Sequence, residues 1–335
     1  MASNKKFDEG LEHIKNAEKC MKTSLLKWRP DFDIAADEYA KAATCFRNAK
    51  AFEQCKDCLM KAADCNKQNR ALFHAGKNYE QAMLVCKELG DLRDVQMLAE
   101  KSCTLYQQHG SCDSGAQALD KGAKILESQY PEQALRLYQR ACDVVMNEDN
   151  ARQGSEYASK VARIMVKLGM YDQATDAVRR EIGMHQQNES TGSIGRLAVA
   201  LVLIQLARGD TVAAEKAFKE WGNCCDPPEV QTLEQLLQGF DEEDPEMAAR
   251  ALSSSFIKHM DVEYSRLARD LPLPKGTAPL SKASVIEKAA PSYISPNKGS
   301  AEEGAVGGAE GATGGAEGAV GGANEDDDEG GFGLC

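Results

Sequence analysis

The chain has 335 residues, of which 42% are hydrophobic, so it is long enough and apolar enough to build a substantial core. Its formal net charge is −12. Residues 296–335 contribute nine acids and one lysine, which leaves about −4 on the remaining chain. A body of this charge repels nucleic acid, and we exclude nucleic acid as a partner.

The sequence indicates a cytoplasmic protein. No apolar stretch reaches the ~18–20 residues that cross a bilayer, and the best candidate, residues 197–207, is flanked by Arg196 and Arg208. The first residues are polar and lack the apolar region of a secretory signal. Twelve cysteines are scattered through helical sequence, where they are expected to be free thiols that behave as small apolar side chains.

A helical-hairpin pattern recurs every 39 or 40 residues and is the strongest feature of the sequence. The marker positions of the five units are Cys55, Val95, Ala134, Ala174 and Ala214. Three residues earlier, the predicted first residues of each second helix are Phe52, Leu92, Pro131, Tyr171 and Thr211. No period-2 run of β-branched residues appears. Residues 1–222 are therefore predicted to form an all-α, right-handed tetratricopeptide-like solenoid, a twisted sheet of helices.

Glycines mark the ends of the first helices in three of the units. Gly90, Gly169 and Gly209 precede the second helices, where a left-handed residue ends a helix without a Cβ clash. The first and third units have Lys50 and Gln129 at this place.

The pattern changes after Trp221. Residues 223–271 are predicted to form a C-terminal bundle that caps the array, with helices over 230–240, 247–256 and 262–271. Residues 272–335 are Pro-rich and then Gly/Ala/Glu-rich, and we expect a disordered acidic tail.

No motif predicts a catalytic, cofactor-binding or metal-binding residue. The sequence has no phosphate-binding glycine loop and no zinc-binding helix signature, and its five histidines are dispersed. Cys55 and Cys58 form a C-x-x-C motif within a helix, which leaves a thiol redox protein as an alternative from another functional class.

Three candidate interaction surfaces remain. The loop between the lead helix and the next helix combines apolar and basic residues, which suits a membrane interface; its apolar members are Leu25, Leu26, Trp28 and Phe32. The alternative is that these apolar side chains pack between the lead helix and the first helical hairpin and hold the two together. An acidic run contains Asp241, Glu242, Glu243 and Asp244, and alone it also fits a solvated turn. Cations on the first helices of the middle units are Lys121, Lys124, Lys160, Arg163 and Arg196.

Four segments carry a resemblance to a known family. They are residues 26–33 (LKWRPDFD), 69–75 (NRALFHA), 233–237 (LEQLL) with the acidic turn, and 333–335 (GLC). Together they resemble the gamma branch of the soluble attachment proteins for the N-ethylmaleimide-sensitive fusion ATPase (NSF). The resemblance covers roughly residues 5–290 and the last few, and the Gly-Ala-Glu repeats fall outside it.

The resemblance implies a non-enzymatic adaptor without a cofactor. In this family several copies wrap a four-helix SNARE bundle of the syntaxin type and present it to the hexameric AAA+ ATPase, which disassembles it during vesicle-mediated transport. The loop with Trp28 then corresponds to a membrane-touching loop of a peripheral protein, and Asp241 and Glu242 to positions that meet the ATPase. Leu334 corresponds to a near-terminal leucine that stimulates ATP hydrolysis.

One departure bears on the SNARE surface. Gln117 and Glu156 occupy positions where the alpha relative has lysines, whereas Lys160 keeps its charge. A different SNARE preference, or reliance on a companion attachment protein, follows as a hypothesis. Among binding proteins, the alternative is a tetratricopeptide co-chaperone that grips acidic peptide tails with concave cations.

Overall fold

The computed structural model describes residues 2–23 and 28–274, and every regular element in those ranges is a helix. The first ten are α1 (Ala2–Met21), α2 (Phe32–Asn48), α3 (Phe52–Gln68), α4 (Leu72–Leu89), α5 (Val95–His109), α6 (Cys112–Leu126), α7 (Pro131–Met146), α8 (Ala151–Lys167), α9 (Tyr171–Gln187) and α10 (Thr191–Ala207). The remaining ones are α11 (Thr211–Trp221), a 3-10 turn (Gly222–Cys224), α12 (Pro227–Asp241), α13 (Pro245–Leu252), α14 (Ser255–Lys258) and α15 (Val262–Asp270).

Helices α1 to α13 pack in chain order, each against the next. Helices α2 to α10 are 15 to 18 residues long, and short turns join them, so consecutive helices are antiparallel neighbours. A single apolar cluster runs from Ala42 on α2 to Leu271 after α15. The predicted all-α solenoid of helical hairpins is thereby confirmed.

The repeat positions predicted from sequence form this core. All five marker residues are buried, and so are Tyr39 and Tyr79 on the first helices of two units. Ala118 and Ala158 are buried at the equivalent places. Small side chains at these positions let neighbouring helices approach closely, while the tyrosine rings fill the wider gaps.

The turns between paired helices follow the expected chemistry, with two differences. Gly90, Gly169 and Gly209 have φ of 73°, 73° and 79°, in the left-handed region. Lys50 adopts the same conformation with φ of 59°, although it carries a Cβ. Gln129 is not among the positive-φ residues of the described chain. There, Pro131 starts α7 with φ already set for a helix.

The prediction that Leu92 begins a helix is wrong, because α5 begins at Val95. Asp91 Oδ1 accepts hydrogen bonds from the backbone N–H of Arg93 at 3.3 Å and from its Nε at 2.8 Å. This local side-chain bonding holds residues 91–93 in a turn instead of the first turn of a helix. Leu92 is nevertheless buried.

The helices after residue 222 pack onto the array, and among them α13, α14 and α15 are short, with eight, four and nine residues. Helix α12 contacts α10 and α11, while α15 contacts α8 and α10. The predicted helix over 247–256 is wrong as a single element, since α13 ends at Leu252 and α14 begins at Ser255. Ser254 Oγ accepts a hydrogen bond from the N–H of Ile257 at 3.4 Å and so caps a new helix. The division of the chain at residue 222 stays a prediction.

Candidate interaction surfaces

The first predicted surface is the loop before α2, of which residues 24–27, including Leu25 and Leu26, lie outside the described part of the chain. Trp28 is 88% exposed, so a large apolar ring with a polar N–H faces solvent. Phe32 begins α2 and packs against the small apolar cluster that joins α1, α2 and α3. Phe32 thus fits the alternative in which the loop residues pack between the lead helix and the first hairpin, whereas Trp28 is placed for an external contact.

The second predicted surface is the acidic turn between α12 and α13. Asp244 has a structural task, because its Oδ1 accepts hydrogen bonds at 2.9 and 3.1 Å from two backbone N–H groups in the first turn of α13. Such a cap stabilises a helix by about 1 kcal/mol. Asp241, Glu242 and Glu243 are exposed. The turn therefore presents three carboxylates to solvent and uses the fourth to begin a helix.

The exposed part of this turn carries local costs. Glu243 has a left-handed backbone with φ of 53°, which costs about 1–2 kcal/mol for a residue with a side chain. Asp241 and Glu242 stand at the C-terminal end of α12, where the helix dipole disfavours negative charge. Gln238 Nε2 donates to Glu242 Oε1 at 2.7 Å. Lys50, Arg70, Asp149 and Glu189 have the same left-handed backbone at other turns, so the run of carboxylates at the C-terminal end of a helix is the feature particular to this turn.

The third predicted surface, the row of cations, contains its own counter-charges. Lys121 Nζ lies 2.5 Å from Glu80 Oε1 on α4. On α6 and α8, Lys124 and Lys160 both pair with Asp120, at 2.7 and 2.5 Å. These three lysines, called the lysine row below, therefore carry a net charge of only +1 with their two carboxylates.

The three side chains of the lysine row differ in their exposure and in how firmly neighbouring groups hold them. The side chains of Lys121 and Lys124 are 45% and 58% exposed, so solvent screens their ion pairs. Lys160 is half-buried, and its ammonium lies 5.5 Å and 5.0 Å from the ring centroids of Tyr138 and Tyr157. Cation–π contacts and the Asp120 pair hold Lys160 in place. Lys121 and Lys124 are better placed to meet a ligand.

Arg163 and Arg196 form a separate group. Arg163 on α8 pairs with Asp261, the residue before α15, at 3.5 Å. Arg196 on α10 lines a cavity of about 230 Å³ together with Asp261. The structure therefore places these two arginines where the array meets α15, and the five predicted cations divide between two places.

Sequence analysis missed the carboxylates that neutralise the lysine row. Lys121 and Glu80 are 41 residues apart, and Lys160 and Asp120 are 40 residues apart. These separations match one repeat, and equivalent positions of neighbouring repeats lie side by side in a solenoid. Acid–base pairs at the repeat spacing are the sequence signal that could have found them.

The C-x-x-C motif lies in the core. Cys55 and Cys58 are buried on α3, and both pack within the main apolar cluster. Burial raises the pKa of the Cys58 thiol to about 12 and raises the pKa of Cys55 as well. Because the thiolate is the reactive form, these surroundings oppose thiol redox chemistry and favour a packing role.

Within residues 2–23 and 28–274, no group of three or more His, Cys, Asp or Glu side chains is arranged to hold a metal ion. None of the helices in these ranges combines the length and apolar character needed to cross a membrane. What the described residues do provide is a stack of helix pairs with an exposed tryptophan, an acidic turn and a neutralised lysine row. These features define the class of helical-repeat scaffolds that work through their surfaces.

Comparison with known proteins gives the family. Residues 8–255 match the family model "Soluble NSF attachment protein, SNAP". A "Gamma-soluble NSF attachment protein" from Dictyostelium discoideum is 27% identical and covers 82% of this chain and 86% of its own. A second "Gamma-soluble NSF attachment protein", from Arabidopsis thaliana, is 25% identical, and the match covers 79% of this chain and 92% of the relative. The solved structure of BtubC from P. vanneervenii aligns with a TM-score of 0.36 at 12% identity, over 67% of this chain and 91% of its own.

The chain belongs to the soluble NSF attachment protein family. The resemblance to the gamma branch that the sequence segments indicated is confirmed by the two relatives of that name. Proteins of this family are non-enzymatic adaptors of SNARE- and NSF-related membrane trafficking.

Proposed function

We propose that this chain binds assembled SNARE four-helix bundles and recruits an NSF-type AAA+ ATPase, whose disassembly activity it stimulates in vesicle-mediated transport. The acidic turn is the observation that carries the proposal, because Asp241, Glu242 and Glu243 are exposed together at the C-terminal end of α12. Opposite charge on an ATPase surface would steer and orient the encounter. ATP hydrolysis belongs to the partner.

A matched pair of variants tests the role of the acidic turn. The double change Asp241→Asn with Glu242→Gln should weaken capture of the purified ATPase at least tenfold, and the capture that remains should depend less on salt concentration. The turn after α7 supplies the control, since Glu148 and Asp149 are also exposed and Asp149 also has a left-handed φ of 56°. Glu148→Gln with Asp149→Asn should leave capture unchanged. Equal losses in both double variants would reject the assignment.

For the SNARE bundle, we propose contact through Lys121 and Lys124, with Lys160, Arg163 and Arg196 as the further candidates. An acidic bundle that docks on the lysine row must compete with its internal carboxylates. Removing one of them, by Asp120→Asn, should therefore strengthen binding of a purified SNARE bundle, whereas Lys124→Gln should weaken it. If neither Asp120→Asn nor Lys124→Gln changes the affinity for the SNARE bundle, the bundle contacts another part of the chain.

Peripheral attachment to the cytoplasmic face of membranes is the third part of the proposal. Trp28 is the exposed residue that supports it, while Leu25 and Leu26 add apolar character in the sequence. A single tryptophan contributes only about 1.5–3 kcal/mol on burial, so several copies must act together. Trp28→Ser should reduce flotation with liposomes, and Val212→Ser, at another exposed apolar side chain, should not.

Leu334, outside the described residues, is proposed to stimulate ATP hydrolysis. Leu334→Ala should leave assembly of the complex intact and lower stimulated turnover; unchanged turnover would reject this role.

The alternative function, a clamp for acidic peptide tails, requires free cations along the first helices. Lys160 is already held by Asp120 and by the rings of Tyr138 and Tyr157, which removes one of the cations that such a clamp would use.

A further inference from the structure

A polar cavity of about 230 Å³ lies where α15 and the residues before it meet α8, α9 and α10. Its volume exceeds the share of several water molecules, at roughly 30 Å³ each in the liquid, so a molecule of several non-hydrogen atoms fits. The polar residues that line it are Ser159, Glu181, Ser193, Arg196, His259, Asp261 and Tyr264.

Two side chains at the inner end of this cavity are buried without complete hydrogen bonding. Glu181 is 4% exposed, and its Oε2 has no hydrogen-bond partner among the described residues. Tyr264 is 3% exposed, and its hydroxyl also has none there. Glu181 Oε1 lies 3.7 Å from Nε2 of His185, which is longer than an ordinary hydrogen bond, and Ser159 and Arg163 also interact with this carboxyl group. Buried polar atoms of native proteins are almost always paired, so these two atoms need an explanation.

The outer end of the cavity has the opposite charge. Arg196 and His259 are exposed on its lining, and the structure gives Arg196 no ion pair within the described ranges. His259 Nδ1 donates to the carbonyl of Ser255 at 2.5 Å, and in a neutral imidazole the other ring nitrogen is then an acceptor, so Arg196 is the donor that can meet an anion. Asp261 is already engaged by Arg163 at 3.5 Å. The cavity thus has a carboxyl and a phenol inside and the guanidinium of Arg196 at its mouth.

We propose that this cavity binds a small zwitterion, whose ammonium group lies against Glu181 and Tyr264 and whose anionic group faces Arg196. An ammonium group supplies the donors that the carboxylate oxygen and the hydroxyl lack. Charge-assisted hydrogen bonds in a buried place are strong, and an anion at the mouth satisfies the guanidinium. Arg196 is also a further candidate for the SNARE contact, whereas Glu181 and Tyr264 belong to neither the proposed ATPase contact nor the proposed SNARE contact, so the Glu181 variant tests the cavity separately.

Phosphoethanolamine is the probe, because it joins an ammonium and a phosphate through two carbons. Isothermal titration of the whole chain should show saturable binding of phosphoethanolamine. Phosphocholine, whose quaternary ammonium cannot donate a hydrogen bond, and inorganic phosphate should bind at least tenfold more weakly. Equal binding of phosphate alone would overturn the proposal, as would no binding of phosphoethanolamine to the chain in solution.

Variants tie the binding to this cavity. Glu181→Gln removes the negative charge and should weaken phosphoethanolamine binding by roughly ten- to a hundredfold. Arg196→Gln should weaken it less, while Arg136→Gln, an exposed arginine on α7, serves as the control with no change. Thermal melting of each variant verifies folding. An unaltered affinity in Glu181→Gln that melts normally would contradict the proposal.

Vesicles identify the source of the ligand. Binding to phosphatidylethanolamine vesicles that is absent with phosphatidylcholine vesicles, and that Glu181→Gln abolishes, would assign the cavity to a lipid headgroup. Binding of soluble phosphoethanolamine alone would assign it to a free amino-phosphate compound. Both results support a zwitterion site.

Discussion

The helices of the repeat array and the short helices after residue 222 are stabilised in different ways. Helices α2 to α10 have 15 to 18 residues each, and most of their first residues lack a side-chain cap. In contrast, α13 and α14 have eight and four residues, and Asp244 and Ser254 cap them. A short helix gains little from propagation, so capping has to contribute more of its stability. Packing therefore dominates in the array, whereas α13 and α14 depend more on the local hydrogen bonds of their caps.

The largest expected effect tests packing in the array against packing after it. Leu119 on α6 and Leu236 on α12 are both fully buried. Leu119→Ala should lower the free energy of unfolding by about 3–5 kcal/mol, because long neighbouring helices cannot collapse onto the cavity. Leu236→Ala should cost about 2 kcal/mol, since its neighbour α13 has only eight residues and can move toward the cavity more easily. Urea unfolding measures both, and a larger loss for Leu236→Ala would reverse the comparison.

The next effect isolates capping. Asp244→Ala removes two hydrogen bonds to the backbone of α13 and should cost about 1–2 kcal/mol. Ser111 precedes α6 without a side-chain cap bond, so Ser111→Ala should change stability by less than about 0.5 kcal/mol. Urea unfolding also measures this pair. Equal costs would show that the array relies on caps as much as the short helices do.

A carboxylate within the array should stabilise it at neutral pH. Hydrogen bonds from His13 and Lys41 lower the pKa of Glu38 to about 2. Its contribution is therefore fully present above pH 4.5, the ordinary value, and is lost as the pH falls toward 2. Glu38→Gln should cost about 1 kcal/mol at pH 7, and the difference from the original chain should shrink on acidification. A constant difference between pH 7 and pH 3 would contradict this.

Glu181, next to the C-terminal helices, should behave in the opposite way. Burial raises the pKa of Glu181, so the folded chain binds a proton more tightly than the unfolded one. The original chain therefore loses stability as the pH rises from 4.5 to the raised pKa. Glu181→Gln should stabilise the chain by about 1 kcal/mol at pH 7, with a gain that fades toward pH 4.5. Thermal melting of both chains between pH 4.5 and pH 7 provides the test. A lower melting temperature for Glu181→Gln than for the original chain at pH 7 would contradict this interpretation.

The repeat positions of the array could be predicted from the sequence, whereas some individual helix boundaries could not. Marker residues such as Val95 and Ala134 were found from sequence because equivalent side chains recur in every repeat and are buried in each. The start of α5 and the break between α13 and α14 were missed. Both depend on single side chains, Asp91 and Ser254, that bond to nearby backbone, and no repeat supports such a signal.

The candidate surfaces were only partly predictable. An exposed acidic turn is visible in the sequence, but its left-handed Glu243 is not. Counting cations without their cross-repeat partners overestimated the charge of the lysine row, because Glu80 and Asp120 are distant in sequence. The unpaired oxygen of Glu181 depends on how α15 packs on the array, which no local pattern encodes.

The central claim is that this chain physically links a SNARE bundle to an ATPase. The most direct measurement immobilises purified SNARE bundles and adds the NSF-type ATPase with or without this chain. The account predicts that the ATPase is retained, and that the bundle is released on ATP addition, only when the chain is present. Equal retention and release in its absence would contradict the account.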